Sequence, residues 1–163
     1  MRRFRFFGIL LATLFITHPL WAGDRSVRYV LDGDTVILDN GEKVRLIGID
    51  APEIHDQARN RRNAEHFGIS PERVDEYAYR ARSYLIKAIE HETVRLEYGD
   101  EMVDRYGRTL AYLYRARDGL FINKVMVQEG YALVYYRFIF KYRDDFIRDE
   151  ETARQHHKGI WAK

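Results

Sequence analysis

The sequence contains no cysteine among its 163 residues. This absence excludes disulfide bonds, zinc sites built on thiolates and catalysis by a cysteine nucleophile. Proline is scarce, with three residues, and no apolar run reaches the roughly 20 residues that a membrane-spanning helix needs. Because 46% of the residues are hydrophobic, the chain can form one domain that is stabilised by its core alone.

The longest apolar run lies near the N-terminus, from Phe6 to Ile16, and follows three basic residues, Arg2, Arg3 and Arg5. This order of basic and then apolar residues is typical of a secretory signal peptide. We therefore expect residues 1–22 to direct export to the periplasm or the medium.

We expect cleavage near Ala22 or Gly23, which leaves residues 23–163 as one domain; an uncleaved membrane anchor is the alternative. Removal of residues 1–22 takes away three arginines and no acidic residue, so the formal net charge falls by three, from +2 to −1. Binding of a polyanion must then depend on local arginine clusters or on a bound cation, because the net charge does not attract it.

Alternation of apolar and polar residues predicts five strands. They are residues 26–31, 35–38, 43–49, 93–98 and 109–114. Asn40 and Gly41 lie between the second and third strands, and they predict a two-residue hairpin turn because both tolerate positive φ.

Ser70 and Pro71 predict the start of a long helix, whose apolar residues recur at a spacing of three and four. Two shorter helices are predicted at residues 122–129 and 146–157. Residues 54–69 are rich in arginine and lack periodicity, which predicts a mobile surface loop. This order of elements favours an α+β domain with a small closed sheet.

Acidic residues lie at the ends of two predicted strands. Asp32 and Asp34 flank Gly33 before the second strand, and Asp50 ends the strand that follows. If the hairpin pairs these strands, Asp34 and Asp50 lie at the same end of the sheet, beside the carbonyl of Ala51. Oxygen donors of this kind suit calcium, although Asp-Gly-Asp by itself is also a common turn sequence.

Three segments occur in order with strands between them: Asp-Gly-Asp-Thr at 32–35, Arg-Leu-Ile-Gly-Ile-Asp-Ala-Pro-Glu at 45–53 and Asp-Arg-Tyr-Gly-Arg-Thr-Leu-Ala-Tyr at 104–112. Together they resemble the staphylococcal nuclease family, and the resemblance extends from about Val27 to Trp161. It implies an α+β fold with a five-stranded, OB-type Greek-key β-barrel and about three α-helices.

The resemblance also implies a calcium site. Asp34 and Asp50 would bind the ion through their side chains, and Ala51 would bind it through its backbone carbonyl. The best-known member of the family has threonine where this chain has Ala51, a difference that matters little if only the carbonyl binds.

The same resemblance implies a catalytic set of Arg45, Glu53 and Arg108. Glu53 would act as the general base or position the attacking water. The two guanidinium groups would bind the phosphate, because each can donate two hydrogen bonds and keeps its charge. Taken singly, these residues are better explained as ordinary strand or surface residues, and only their combination favours catalysis.

The resemblance further implies that substrate is contacted by Arg105, Tyr106, Tyr136 and Phe138. Aromatic side chains stack on any base, which suits a broad choice of substrate. The family often has tyrosine in place of Phe138, and packing in the core is the alternative role for Tyr136 and Phe138.

The resemblance implies a calcium-dependent endonuclease that acts on DNA and RNA and leaves 3′-phosphate ends. We expect it to be monomeric and not to be inserted in a membrane after cleavage. Two alternatives are an OB-type module that binds nucleic acid or protein without catalysis and an envelope protein that processes another phosphodiester. A module that only binds has no need of the full set of two aspartates, one glutamate and two arginines, so their joint presence favours the enzyme. The set is Asp34, Arg45, Asp50, Glu53 and Arg108.

Overall fold

The computed structural model describes residues 23–54, 56, 58, 60, 61, 64, 65 and 68–162. The predicted signal peptide, residues 1–22, lies outside the described residues, and its prediction stands as a prediction. The strands are β1 Arg25–Val30, β2 Thr35–Leu38, β3 Lys43–Leu46, β4 Ile49–Asp50, β5 Thr93–Val103, β6 Thr109–Arg115 and β7 Leu133–Val134. The helices are α1 Pro71–Ile89, α2 Ile122–Gln128 and α3 Arg143–Gln155, followed by a 3₁₀ turn at Gly159–Trp161.

Five strands close into a barrel in the order β1-β2-β3-β6-β5. The pair β3 and β6 is parallel, and the other paired strands are antiparallel. The α+β class, the closed five-stranded barrel and the three helices that were predicted are therefore confirmed.

The barrel interior is filled by alternate residues of its strands, such as Val36, Val44 and Leu46, which are buried. Helix α1 lies against the barrel through its own apolar stripe, which includes Ala81 and Leu85. Gly33, in the turn before β2, lies against Ala81 near the middle of α1, so this turn is held beside the helix.

The hairpin turn between β2 and β3 is longer than predicted. Leu38 N donates to the carbonyl of Glu42 at 2.9 Å, and Gly41 N donates to the carbonyl of Leu38 at 3.0 Å. The turn therefore contains three residues, 39–41, with Gly41 at φ 84°. A glycine in the left-handed region is typical of this three-residue turn.

The predicted strand at residues 43–49 is wrong in its length, because the chain turns at Gly48, where φ is 81°. β3 ends at Leu46, and β4 pairs with β7 in a separate two-stranded sheet. A side chain at Gly48 would meet the ring of Phe140 at 2.5 Å, so the turn requires glycine for both conformation and space.

The predicted loop at residues 54–69 is wrong in its middle, although the described residues at its two ends, 54, 56, 68 and 69, are not helical. Ala58, Asn60, Arg61, Ala64 and Glu65 are helical. Asn60 and Ala64 are buried, and Ala64 packs in a second apolar cluster with residues of α1, β7 and the 3₁₀ turn. The nearby Arg59 and Arg62 lie outside the described residues.

None of the helices among the described residues has the length and apolar character that crossing a bilayer demands.

Candidate active site

The turn that carries Asp32 and Asp34 is packed against two other elements. Asp32 Oδ1 accepts a hydrogen bond from Asp34 N at 3.0 Å, which closes the turn. A Cβ atom at Gly33 would lie 2.7 Å from Cβ of Ala51 and 2.8 Å from Cβ of Ala81. The missing side chain of Gly33 therefore lets the turn touch both the exit of β4 and helix α1.

Asp34 is buried and joins three segments of the chain. Its Oδ2 lies 2.7 Å from Arg45 Nη1 and accepts a hydrogen bond from Ala51 N at 2.8 Å. Its Oδ1 accepts a hydrogen bond from the hydroxyl of Thr35 at 2.9 Å. A carboxylate oxygen can accept two such bonds, so Oδ1 retains the capacity to bind a cation.

Arg45 bridges the two aspartates that the sequence singled out. Its position follows from the pairing of β2 with β3, in which Thr35 faces Arg45. Nη2 lies 3.2 Å from Asp50 Oδ1, and the side chain is 12% exposed. Burial lowers the pKa of Arg45, but the charges of Asp34 and Asp50 outweigh burial and raise the pKa above its usual range. Arg45 is therefore positively charged at all physiological pH values.

The cluster holds more negative than positive groups. Asp32, Asp34, Asp50 and Glu53 act electrostatically on Arg45. Burial, and then the charges of Asp34 and Glu53, raise the pKa of Asp32 to about 8. With the Asp32 carboxyl neutral at pH 7, one arginine faces the charges of Asp34, Asp50 and Glu53, and a further cation would lower the electrostatic cost.

The donors fit a calcium ion by their chemistry, since carboxylate and carbonyl oxygens are what calcium prefers. No group of three or more His, Cys, Asp or Glu side chains in the described part of the chain is arranged as a metal site. The predicted set differs from such a group, because it consists of two side chains, Asp34 and Asp50, and the backbone carbonyl of Ala51.

Glu53 follows β4 by three residues and is half-buried. Its carboxylate is close enough to influence the pKa values of Asp32 and Arg45. Its backbone is hydrogen-bonded to the side chain of Asn60, a residue that the sequence analysis did not single out. Neither its residue type nor its position within an arginine-rich segment distinguishes Asn60 from a solvated loop residue, so no sequence signal could have identified it.

Arg108 is held by a different carboxylate. Its Nε and Nη2 each lie 2.7 Å from Asp104 Oδ2. It precedes β6, in which Leu110 is the register partner of Arg45. The structure thus brings Asp34 and Asp50 into contact with Arg45, with Glu53 in electrostatic range, whereas Arg108 lies just before the neighbouring strand β6 with its guanidinium bound to Asp104.

The predicted substrate-binding aromatics lie at the surface. Tyr106 is 69% exposed, and the guanidinium groups of Arg105 and Arg108 lie 4.8 and 5.5 Å from the centre of its ring. Tyr136 and Phe138 are also exposed. The alternative role of these two residues in core packing is therefore wrong.

Comparisons with known proteins find a matching family model and relatives that are named nucleases. A family model described as staphylococcal nuclease homologue matches residues 43–163. The chain is 32% identical over 138 residues to a thermonuclease of Staphylococcus hyicus, with 82% of this chain and 72% of that protein covered. It is 34% identical over 142 residues to a thermonuclease of Staphylococcus intermedius, covering 84% and 75%. It is 34% identical over 161 residues to a micrococcal nuclease of Shigella flexneri, covering 91% and 80%.

Proposed function

The chain belongs to the family of staphylococcal nuclease homologues, and we propose that it is a calcium-dependent nuclease that hydrolyses phosphodiester bonds in DNA and RNA. The names of the similar proteins, thermonuclease and micrococcal nuclease, support a nuclease function. The observation that carries the proposal is the buried cluster in which Arg45 contacts both Asp34 and Asp50.

Asp34, Asp50 and the carbonyl of Ala51 are the groups that would hold calcium. When bound, the ion supplies positive charge to a phosphate oxygen and orients the phosphodiester. The excess of carboxylates over arginine in the cluster supports this assignment, because a divalent cation offsets the repulsion among them.

Glu53 is the proposed general base. Its carboxylate accepts a proton from the attacking water, or holds that water by a hydrogen bond, as the water approaches phosphorus. Its place beside the cluster supports this role, because Glu53 is near enough to Asp32 and Arg45 to act on both electrostatically.

Arg45 and Arg108 are the proposed phosphate-binding pair. Both stay charged throughout the reaction and can stabilise the charge that gathers on the phosphate oxygens. Arg108 binds Asp104 through Nε and Nη2. It therefore binds phosphate through the remaining N–H groups of Nη1 and Nη2, or it exchanges the carboxylate of Asp104 for the phosphate.

Arg105, Tyr106, Tyr136 and Phe138 are the proposed contacts to the nucleotide. Exposed rings that lie beside guanidinium groups, as Tyr106 does, suit stacking on bases of any sequence next to a phosphate. We further propose endonucleolytic attack that leaves 3′-phosphate ends, export of a monomer after removal of residues 1–22, and no insertion in a membrane thereafter.

The test is incubation of the purified protein with single-stranded DNA and with RNA, in calcium or in a chelator. We expect cleavage with calcium only, and chromatography of the products should show 3′-phosphate ends. Cleavage that persists in the chelator would reject the calcium assignment. Binding without any cleavage would favour the alternative of a binding module.

Substitution of the proposed base tests its role within the same assay. Glu53→Gln keeps the shape of the side chain but cannot accept a proton, so kcat should fall about 100-fold or more. Arg45→Lys and Arg108→Lys should also lower turnover strongly, because lysine lacks the planar fork. Glu151→Gln, at an exposed position of α3, is the matched control and should leave kcat unchanged. Wild-type turnover in any of the first three variants removes that residue from the mechanism.

A further inference from the structure

A buried asparagine outside the family motifs holds the segment that carries Glu53. Asn60 is 1% exposed. Its Oδ1 accepts a hydrogen bond from Glu53 N at 2.9 Å, and its Nδ2 donates to the carbonyl of Glu53 at 2.5 Å. One side-chain amide thus satisfies both backbone groups of one residue.

Helix α1 fixes the orientation of this amide. Asn60 Nδ2 also donates to Asp75 Oδ1 at 3.0 Å, and Asp75 lies in the first turns of α1. Both hydrogens of the amide nitrogen are then used. Rotation of the amide by half a turn would place its oxygen against the Asp75 carboxylate and its nitrogen against the Glu53 N–H, so Asp75 favours the one orientation that binds Glu53.

Residues before and after Asn60 in the sequence also fix its position. Its backbone N donates to the carbonyl of Asp56 at 3.0 Å. Four residues later, Ala64 is buried in the second apolar cluster with Val74 and Tyr77 of α1. The helical segment around Asn60 is therefore anchored to α1 by a polar contact and by an apolar contact.

The segment from Ala51 to Glu53 is held at successive residues as it leaves β4. Ala51 N donates to Asp34 Oδ2, the ring of Pro52 restricts φ, and both backbone groups of Glu53 bind Asn60. Without Asn60, the backbone of Glu53 loses both of these partners. The direction of its carboxylate relative to the cluster would then vary.

We propose that Asn60 is a positioning residue for the reaction: its amide, oriented by Asp75, fixes the backbone of Glu53 so that the carboxylate faces the cluster of Asp34, Arg45 and Asp50. This inference rests on the proposed nuclease function for its effect on turnover. The contact itself is independent of that function, because it can be measured at the Glu53 amide.

The first test is Asn60→Ala. We expect kcat to fall about 100-fold with KM unchanged, because a displaced base affects the chemical step and not the binding of substrate. Amide hydrogen exchange at Glu53, followed by NMR, should be about tenfold faster, because its hydrogen bond to Oδ1 is lost. Unchanged exchange at Glu53 would overturn the proposal.

The second test exchanges the two partners. Asn60→Asp keeps the acceptor for Glu53 N–H, removes the donor and places a carboxylate against Asp75, so kcat should fall. When Asp75→Asn is added, the amide at position 75 donates to the carboxylate at position 60. The hydrogen bond between the two positions is then restored with donor and acceptor exchanged. The double variant should therefore recover part of the lost kcat, and a further loss on combination would contradict the proposed orientation of Asn60 by Asp75.

Asn123→Ala is the matched control for lost stability. Asn123 is a buried asparagine that also binds backbone groups, the N–H of Leu113 and the carbonyl of Ile47. This variant should lower the thermal midpoint as Asn60→Ala does, while kcat and exchange at Glu53 stay as in the wild type. Equal losses of kcat in both variants at equal thermal midpoints would reduce Asn60 to a structural role and overturn the proposal.

The two readouts separate the inference from the proposed function. A wild-type protein that cleaves neither DNA nor RNA contradicts the proposed function. Exchange at Glu53 in Asn60→Ala still decides whether Asn60 holds that residue, because this measurement needs no substrate.

Discussion

At the scale of single residues, the two proposed phosphate-binding arginines differ in what they do for the folded protein. Arg45 is mostly buried and forms ion pairs with two carboxylates, those of Asp34 and Asp50. Arg108 is more exposed and forms an ion pair with one carboxylate, that of Asp104. Removal of a partner from a buried ion pair leaves an uncompensated charge, which is strongly destabilising. Substitution of Arg45 should therefore affect both stability and turnover, whereas substitution of Arg108 should affect mainly turnover.

Asp104 gives a prediction of pH dependence. Burial raises the pKa of Asp104, but hydrogen bonds from the backbone and side chain of Arg108 and from Tyr106 N outweigh it and hold the pKa below its usual value of 3.8. A depressed pKa in the folded state contributes stability that is present above the unfolded pKa and is lost as pH falls through the folded pKa. The stability advantage of wild type over Asp104→Asn should thus be constant near neutral pH and shrink below about pH 4.

Urea denaturation of both proteins between pH 2 and pH 7 measures this difference. Asp100→Asn, at an exposed position of β5, is the control and should show a smaller change with pH. A difference between wild type and Asp104→Asn that stays the same down to pH 2 would rule out the proposed contribution of Asp104.

At the scale of secondary-structure elements, the site forms where a turn, the end of a short strand and a helix touch. The turn before β2 carries Asp34, the end of β4 carries Asp50 and α1 lies against both. β4 does not belong to the barrel, since β7 pairs with it, with Asp50 facing Leu133. The relative position of the two aspartates therefore depends on an antiparallel pair outside the barrel as well as on the hairpin within it.

Gly33 is the contact point of these three elements, and its substitution is the prediction at this scale. Gly33→Ala places a methyl group in contact with Ala51 and Ala81, so one of the elements must move. We expect a loss of about 1–3 kcal/mol in the free energy of unfolding. A fall in kcat should accompany it, because Ala51 follows Asp50.

The control for Gly33→Ala is Gly23→Ala, since nothing lies within 4 Å of a Cβ atom at that position. Its free energy of unfolding should stay within about 0.5 kcal/mol of wild type. Equal stability of the two variants in urea would show that the turn does not need this close approach.

At the scale of the whole molecule, the second apolar cluster joins segments that are far apart in the chain. Ala64, Val74, Leu133 and Ile160 are buried together. Arg73 on α1 donates to the carbonyl of Ala162 at 2.7 Å, so the end of the described chain is tied to α1. This cluster supports the segment that carries Asn60, and through it the position of Glu53.

Ile160→Ala tests the contribution of this cluster. The side chain is 1% exposed, and its truncation should lower the free energy of unfolding by about 2–5 kcal/mol, because a cavity remains. Ile139→Ala makes the same chemical change at a side chain that is 90% exposed and should cost less than about 0.5 kcal/mol. Similar losses for the two variants in denaturant titrations would show that the cluster does not stabilise the fold.

Much of the architecture could be predicted because it depends on neighbours in the sequence. Alternation identified the barrel strands, and the Asn40-Gly41 signal identified the hairpin that sets Thr35 opposite Arg45. Predictions failed where a distant partner decides the structure. β3 ends early because Gly48 must turn beside Phe140, and Asn60 is buried because Glu53 and Asp75 bind it.

The sequence by itself determined the fold class, the family and the list of candidate site residues, since periodicity and short motifs are properties of adjacent residues. Only the tertiary structure decided that Arg45 lies between Asp34 and Asp50, that Arg108 binds Asp104 and that Tyr136 and Phe138 lie at the surface. The physical reason is that burial, charge pairing and hydrogen-bond partners arise from contacts between segments distant in the chain, and no local pattern specifies those contacts.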